Sequence, residues 1–259
     1  MTESISIAAR YFTTTFLVDP VYFTFLLFLI TVSGVLVVVS VHLIPVGGAP
    51  AAMAQATGVG TGTTQLAAGT GLTGILTGAS VLTLSGDVFI SILLGGIGAA
   101  IMITVIMLVS NIGYIYGIGI PLASGKKIRD PITKDRQDIY VSKGTEGHGI
   151  PTAAFISGAI GGFIGGVGGF LTYAVLLAIG PEILTIENPY VQIAPAIIVS
   201  ISLFFINAVI ASYNIGGTIE GYYDPKFKRL PKAVIVSAVI TFICGMMCLF
   251  LFIQLGEIV

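Results

Sequence analysis

The chain has 259 residues, of which 55% are hydrophobic and only 9% charged, with a mean hydropathy of +1.03 and a net charge of −1. A soluble domain carries about 25% charged residues, so this chain lacks the polar side chains to cover a water-facing surface. It reads as an all-α polytopic membrane protein, and the near-zero charge argues against a nucleic-acid partner.

Residues 1–20 form a mixed segment too short to span, since a span takes about 20 apolar residues; an interfacial segment is expected. The N-terminus lacks a basic start and a small-residue cleavage site, so no removable signal peptide is expected. Asp19-Pro20 supplies a capping carboxylate and a first-turn proline, a good helix start. The first span is predicted over Val21–Val41. From His42 to Gly71 the chain has no charge and carries seven glycines, at 47, 48, 58, 60, 62, 69 and 71. A second span is predicted over Ala51–Leu84, broken near Thr57–Gly62, because each glycine costs about 1 kcal/mol relative to alanine in a helix. Asp87 marks a short turn, and the third span covers Val88–Ile115.

The polar segment Gly117–Gly149 follows, with six basic and four acidic residues. The fourth span, Ile150–Ile179, carries two glycine ridges of four-residue period: Gly158, Gly162, Gly166 and Gly161, Gly165, Gly169. Such ridges let another helix approach closely. After a turn at Glu182–Tyr190 come a fifth span, Val191–Tyr213, a polar loop, Asn214–Leu230, and a sixth span, Ala233–Ile253. The expected organisation is one membrane domain over 1–259 with about six transmembrane helices. Ten of the eleven basic residues fall in the segments after spans three and five, leaving only Arg10 elsewhere. The positive-inside rule makes those segments, 117–149 and 214–232, cytoplasmic loops and puts both termini outside.

A two-span repeat is visible in outline. His42-Leu-Ile-Pro45 and His148-Gly-Ile-Pro151 each lead into a glycine-rich span and a further apolar span. Each copy then reaches Asn-Ile-Gly, at Asn111 and Asn214, and an Asp-Pro, at Asp130 and Asp224. The two copies should run the same way through the membrane.

Chemistry, if any, must use neutral groups, because the predicted spans contain no Asp, Glu, Lys or Arg. Gln55, Thr57, Gly58, Gly60, Thr61 and Gly62 combine hard neutral oxygens with backbone that glycine can expose, the kind of donor set a monovalent cation accepts. These six, with Asn111 and Asn207, are candidate ion-route or gating residues; close helix packing is the competing reading. Thr beside Val-Gly-x-Gly also resembles a potassium-filter motif, which keeps a stand-alone small-ion channel or secondary transporter as the alternative. No Lys follows the glycines, so a phosphate-binding loop is excluded. His42 and His148 are expected to be interfacial or hydrogen-bonded, and Cys244 and Cys248 to pack, with no metal site. Lys126, Lys127, Arg129, Lys134, Arg136 and Lys143 are candidate docking residues for a cytoplasmic partner. No nucleophile–base pair lies in the spans, so no catalytic residue is assigned.

Three long motifs carry a family resemblance. His42-Leu-Ile-Pro-Val-Gly-Gly-Ala-Pro-Ala-Ala-Met-Ala-Gln-Ala-Thr-Gly-Val-Gly-Thr-Gly-Thr63, the run Asp130–Thr152, and Ser212-Tyr-Asn-Ile-Gly-Gly-Thr-Ile-Glu-Gly221 with the following Asp-Pro-Lys-Phe-Lys228 closely resemble the D subunit of tetrahydromethanopterin S-methyltransferase. The first twenty residues match least. The resemblance implies a place in a membrane complex of methanogenic archaea. That complex moves a methyl group from methyl-tetrahydromethanopterin to coenzyme M and couples the transfer to Na⁺ export. It further implies membrane partners in the C and E subunits, and a corrinoid (cobamide) carried by a different, cytoplasmic-side subunit rather than by this chain. A carboxylate ligand for Na⁺ would come from a neighbour, the E subunit being the first candidate.

Overall fold

The computed structural model describes residues 20–45, 61–113, 116, 128–136, 150–183, 189–215, 221–223 and 225–258. Six long helices account for most of them: α1 (Pro20–Leu43), α2 (Thr61–Ser85), α3 (Val88–Ile112), α4 (Thr152–Ile183), α5 (Pro189–Ile215) and α6 (Leu230–Ile258). Two short 3₁₀ turns, Gly221–Tyr223 and Pro225–Arg229, lie between α5 and α6. Five of the helices are long and apolar enough to cross a membrane: α1, α3 and the segments Thr152–Ala178, Ile193–Ile215 and Pro225–Leu249. The remaining one, α2, has 25 residues and is rich in Gly and Thr.

The boundaries follow local chemistry. Gly86 (φ 68) and Asp87 make the whole connection between α2 and α3. Glycine accepts that left-handed conformation without strain, and Asp87 Oδ1 then takes the free Ile90 N–H at 3.0 Å as the α3 N-cap. The first, fourth, fifth and sixth helices run slightly past the expected spans, whereas α3 ends at Ile112, three residues short of the predicted Ile115. Glu182 lies inside α4 and Tyr190 inside α5, so the predicted turn at 182–190 is shorter, and Asn214 ends α5 instead of opening a loop. The break in the second span is expected near 57–62; α2 begins at Thr61, while 51–60 and the N-terminal segment 1–19 lie outside the described residues.

Hydroxyls along the spans close on their own helices. Thr24, Thr31, Thr73, Ser80, Thr83 and Ser202 each donate to the carbonyl four residues earlier, at 2.6–2.9 Å. This satisfies a polar group where no water is at hand.

The glycine-rich α4 is the axis of the bundle, with α1, α2, α3 and α5 against it, while α6 packs on α1 and α5. Its two ridges divide the work. A Cβ at Gly158, Gly162 or Gly166 would strike α3, at Met107, Ile103 and Ala99. At Gly161 and Gly165 it would strike α1 at Ser40, and at Gly169 it would stand 2.8 Å from the Gly71 carbonyl of α2. The tightest point is a node of three glycines from three helices. A Cβ on Gly74 would run into the Gly166 backbone, and one on Gly166 would stand 2.7 Å from the Gly95 carbonyl. In contrast, α3 shows a long apolar face outward, including Phe89, Leu93, Ile97, Ile101 and Leu108.

Candidate functional site

The polar groups inside the bundle gather at two depths. At mid-depth, the fully buried Asn207 of α5 accepts hydrogen bonds on Oδ1 from Ser237 Oγ (2.5 Å) and Thr241 Oγ1 (3.0 Å) of α6, and donates Nδ2 to the Leu203 carbonyl at 2.9 Å. The cluster fits against Gly34 of α1, where a Cβ would stand 2.8 Å from Asn207 Nδ2. Nearby, Ser33 of α1 and Thr172 of α4 share a 2.6 Å hydrogen bond. All are neutral oxygens and amides held between helices. Any ion meeting Asn207 Oδ1 would have to displace two hydroxyl donors.

The second concentration lies at the end of the bundle that carries the basic segments. Buried Asn111, at the end of α3, grips the Ile150 backbone from both sides: Nδ2 donates to the Ile150 carbonyl at 3.1 Å, and Oδ1 accepts from the Ile150 N–H at 2.9 Å. Asn214, at the end of α5, donates Nδ2 to His42 Nε2 (3.0 Å) and to the Arg229 carbonyl (3.0 Å). The Arg229 guanidinium donates back to the Asn214 carbonyl at 3.1 Å. His42 is fully buried, and its Nδ1 faces the Val38 carbonyl at 2.7 Å. A carbonyl can only accept and an amide nitrogen can only donate, so these partners fix the neutral ring with its proton on Nδ1. A third link runs from Ser157 Oγ to the Leu43 carbonyl (2.8 Å), with Tyr222 N–H donating to the same Oγ at 3.1 Å. Gly221 (φ 73) folds the α5–α6 connection down onto Ser157.

Among the expected docking residues, Arg129, Lys134 and Arg136 come together on one small hairpin. Arg129 and Arg136 pair across it. Asp130 Oδ1 accepts the Ile132 and Thr133 N–H groups at 2.8 and 3.0 Å. Arg129 Nη1 and Lys134 Nζ donate to carbonyls within the turn, of Lys134 and Pro131. Ile132 stands half exposed at the tip. Lys126, Lys127 and Lys143 lie outside the described residues, as do Gln55, Thr57, Gly58, Gly60 and His148. Thr61 and Gly62 open α2. Asn111 and Asn207 are not brought together: one closes the basic end and the other sits in the α1–α5–α6 seam. Among the described residues, no three His, Cys, Asp or Glu side chains converge as metal ligands would. Cys248 packs in the apolar cluster at the opposite end of the bundle, with Cys244 against it.

Sequence reasoning singles out Asn214 only as a repeat marker and does not single out Ser157, Ser40 or Arg229 as site residues. Asn214 shares its Asn-Ile-Gly context with Asn111, and that signal is sufficient to find it. Ser40 has no signal. Its hydroxyl is fully buried, points at Gly165 of α4, and has no hydrogen-bond partner among the described residues.

The family model for the D subunit of tetrahydromethanopterin S-methyltransferase matches residues 23–241. A D subunit from Methanosarcina barkeri is 52% identical over 237 residues, covering 89% of this chain and 95% of the relative. One from Methanopyrus kandleri is 52% identical over 226 residues, with 87% and 95% covered. One from Methanocaldococcus jannaschii is 49% identical over 222 residues, with 83% and 91% covered. With half of all positions shared across nearly the whole length, the chain belongs to the family of tetrahydromethanopterin S-methyltransferase D subunits.

Proposed function

We propose that this methyltransferase subunit is part of the membrane-embedded core of its complex, and that it helps couple methyl transfer to coenzyme M to the export of sodium ions. In this reading the chain carries no methyl-transfer chemistry. The corrinoid sits on a partner at the cytoplasmic side, the C and E subunits are its membrane neighbours, and the basic segments face the cytoplasm. The observation that supports this most directly is the character of the bundle's interior. Asn207, Ser237, Thr241, Ser33, Thr172 and Ser40 are all neutral oxygens or amides at 0–3% exposure, set between helices. Such groups can line a route for a desolvated cation, and any carboxylate ligand is left to a neighbouring subunit.

Proteoliposomes containing the whole complex test the reading. Sodium uptake and methyl transfer to coenzyme M are measured on one preparation, with and without this subunit. Loss of uptake with retained methyl transfer is the expected result. Sodium uptake that stays coupled to methyl transfer at an undiminished ratio without this subunit would sink the proposal. Sodium flux through the chain reconstituted by itself would favour a stand-alone channel or transporter.

A further inference from the structure

The asparagine contacts at the basic end are reciprocal. The unit α2–α3 follows His42-Leu-Ile-Pro45 and ends at Asn111; the unit α4–α5 follows His148-Gly-Ile-Pro151 and ends at Asn214. Asn111 holds Ile150, which belongs to the second lead-in segment, and Asn214 holds His42, which belongs to the first. Each unit therefore closes on the lead-in of the other, the exchange that two copies related by an approximate two-fold axis along the bundle would make.

The two clasps differ in what else they touch. The Asn111 clasp is buried and joins the Asn111 amide to the Ile150 backbone, with no charged group among its described partners. The Asn214 clasp ends on Arg229, which is exposed in the basic run Lys226, Lys228, Arg229, Lys232 at the start of α6. Helix α6 has no acidic residue in its first turn, so its amino end adds to the positive field. The Arg229 guanidinium holds only a neutral carbonyl within this clasp. A carboxylate would compete well for it, because a charge-assisted hydrogen bond is roughly twice as strong as a neutral one. Behind the clasp lies the seam built on Val37, Val38, Val41, Phe204 and Ile215 with three alanines, Ala208, Ala211 and Ala233, a smaller apolar group than the one at the opposite end of the bundle.

We propose that Arg229 is a partner-operated release: an acidic protein surface docking on residues 226–232 takes the guanidinium from the Asn214 carbonyl, loosens the Asn214–His42 bond, and opens the α1–α5–α6 seam. The Asn111 clasp stays shut and acts as the fixed half of the pair. This does not depend on which ion the complex moves.

The test uses the full chain in zwitterionic nanodiscs, with Cys244 and Cys248 replaced by Ala and a reporter thiol placed by Ala211→Cys, a fully buried seam position. A charged maleimide reads how often the seam opens, and soluble polyglutamate is the acidic probe. Asn214→Ala should raise the labelling rate about tenfold, the equivalent of roughly 1.4 kcal/mol. Polyglutamate should raise it severalfold in the parent, but not in Arg229→Gln, whose rate should already be raised. Arg229→Lys, which keeps the charge but loses the fork, should still respond in part. If Asn214→Ala melts early, Arg229→Gln alone carries the test, since it leaves the Arg229 carbonyl contact in place. Labelling unchanged by Arg229→Gln, or a polyglutamate response that survives it, overturns the release. A rise on switching to anionic lipid without polyglutamate also overturns it, in favour of a lipid headgroup.

Discussion

The two ends of the bundle are held together by different means. Away from the basic segments, Phe23, Leu26, Leu27 and Ile30 of α1 pack with Ile75 of α2, Phe170, Tyr173 and Leu176 of α4, Leu203 of α5 and Leu249 of α6 in one continuous apolar cluster. At the basic end the apolar contacts break into two smaller groups, around Val38 and around Ile103. There, helix ends are joined by amide and hydroxyl bonds across long stretches of chain: His42 to Asn214, Asn111 to Ile150, and Ser157 to Leu43 and Tyr222. Dispersion contacts among large side chains are non-directional and fade gradually. Hydrogen bonds between helix ends break and re-form in discrete steps, as the proposed release at Arg229 requires. The same molecule thus has one end held by continuous apolar packing and one end held by directional bonds between helix ends.

Three substitutions can break or sharpen that contrast. The largest effect is expected from Gly166→Leu. The side chain would enter the node where α2, α3 and α4 bring backbone against backbone, and backbone cannot give way. No assembled, monodisperse chain should survive detergent extraction and size separation; a normal elution profile would show that the glycine node is dispensable. Next is Phe170→Ala at the apolar end. Phe170 is fully buried, and its ring fills the space over Gly78. The loss should be about 3 kcal/mol, from forfeited contacts and a residual cavity. Thermal or denaturant unfolding in mixed micelles measures it, and a loss below that of the third variant, in the mid-depth polar cluster, would show that apolar packing does not outweigh hydrogen bonding in this bundle. The smallest is Asn207→Ala, expected to cost about 1 kcal/mol, since hydrogen bonds between membrane helices are individually modest. A double-mutant cycle with Ser237→Ala should recover most of that energy as coupling.

Much of the fold is legible in the sequence because a membrane imposes few solutions. A helix that spans needs about 20 apolar residues, so apolar runs mark six helices, most of them to within a few residues of their ends; the predicted start of the second, at Ala51, lies outside the described residues. The four-residue glycine periods on α4 mark close approach correctly. They cannot say to which partner, and the second ridge divides between α1 and α2. The candidate site is less legible. The sequence leaves Asn207 as either an interhelical bond or an ion ligand, and hydrogen bonding to α6 is what the structure shows. The Asn214 contact joins residues 172 positions apart, and no local pattern encodes that pairing. Ser157 and Ser40 look like any other serine in an apolar helix. Only the placement of α1 against α4 makes one a bridge and leaves the other without a partner among the described residues.

The Gly86–Asp87 turn has a consequence for how the chain is made. A connection of two residues bearing a single carboxylate is about as small a polar load as a bilayer can be asked to pass. Helices α2 and α3 are therefore suited to enter the membrane together as a preformed hairpin, with Thr77 of α2 already set against Gly98 of the more apolar α3. The weaker of the two helices need never be recognised by the insertion machinery on its own merits, which leaves its sequence free to be chosen for small residues and close packing.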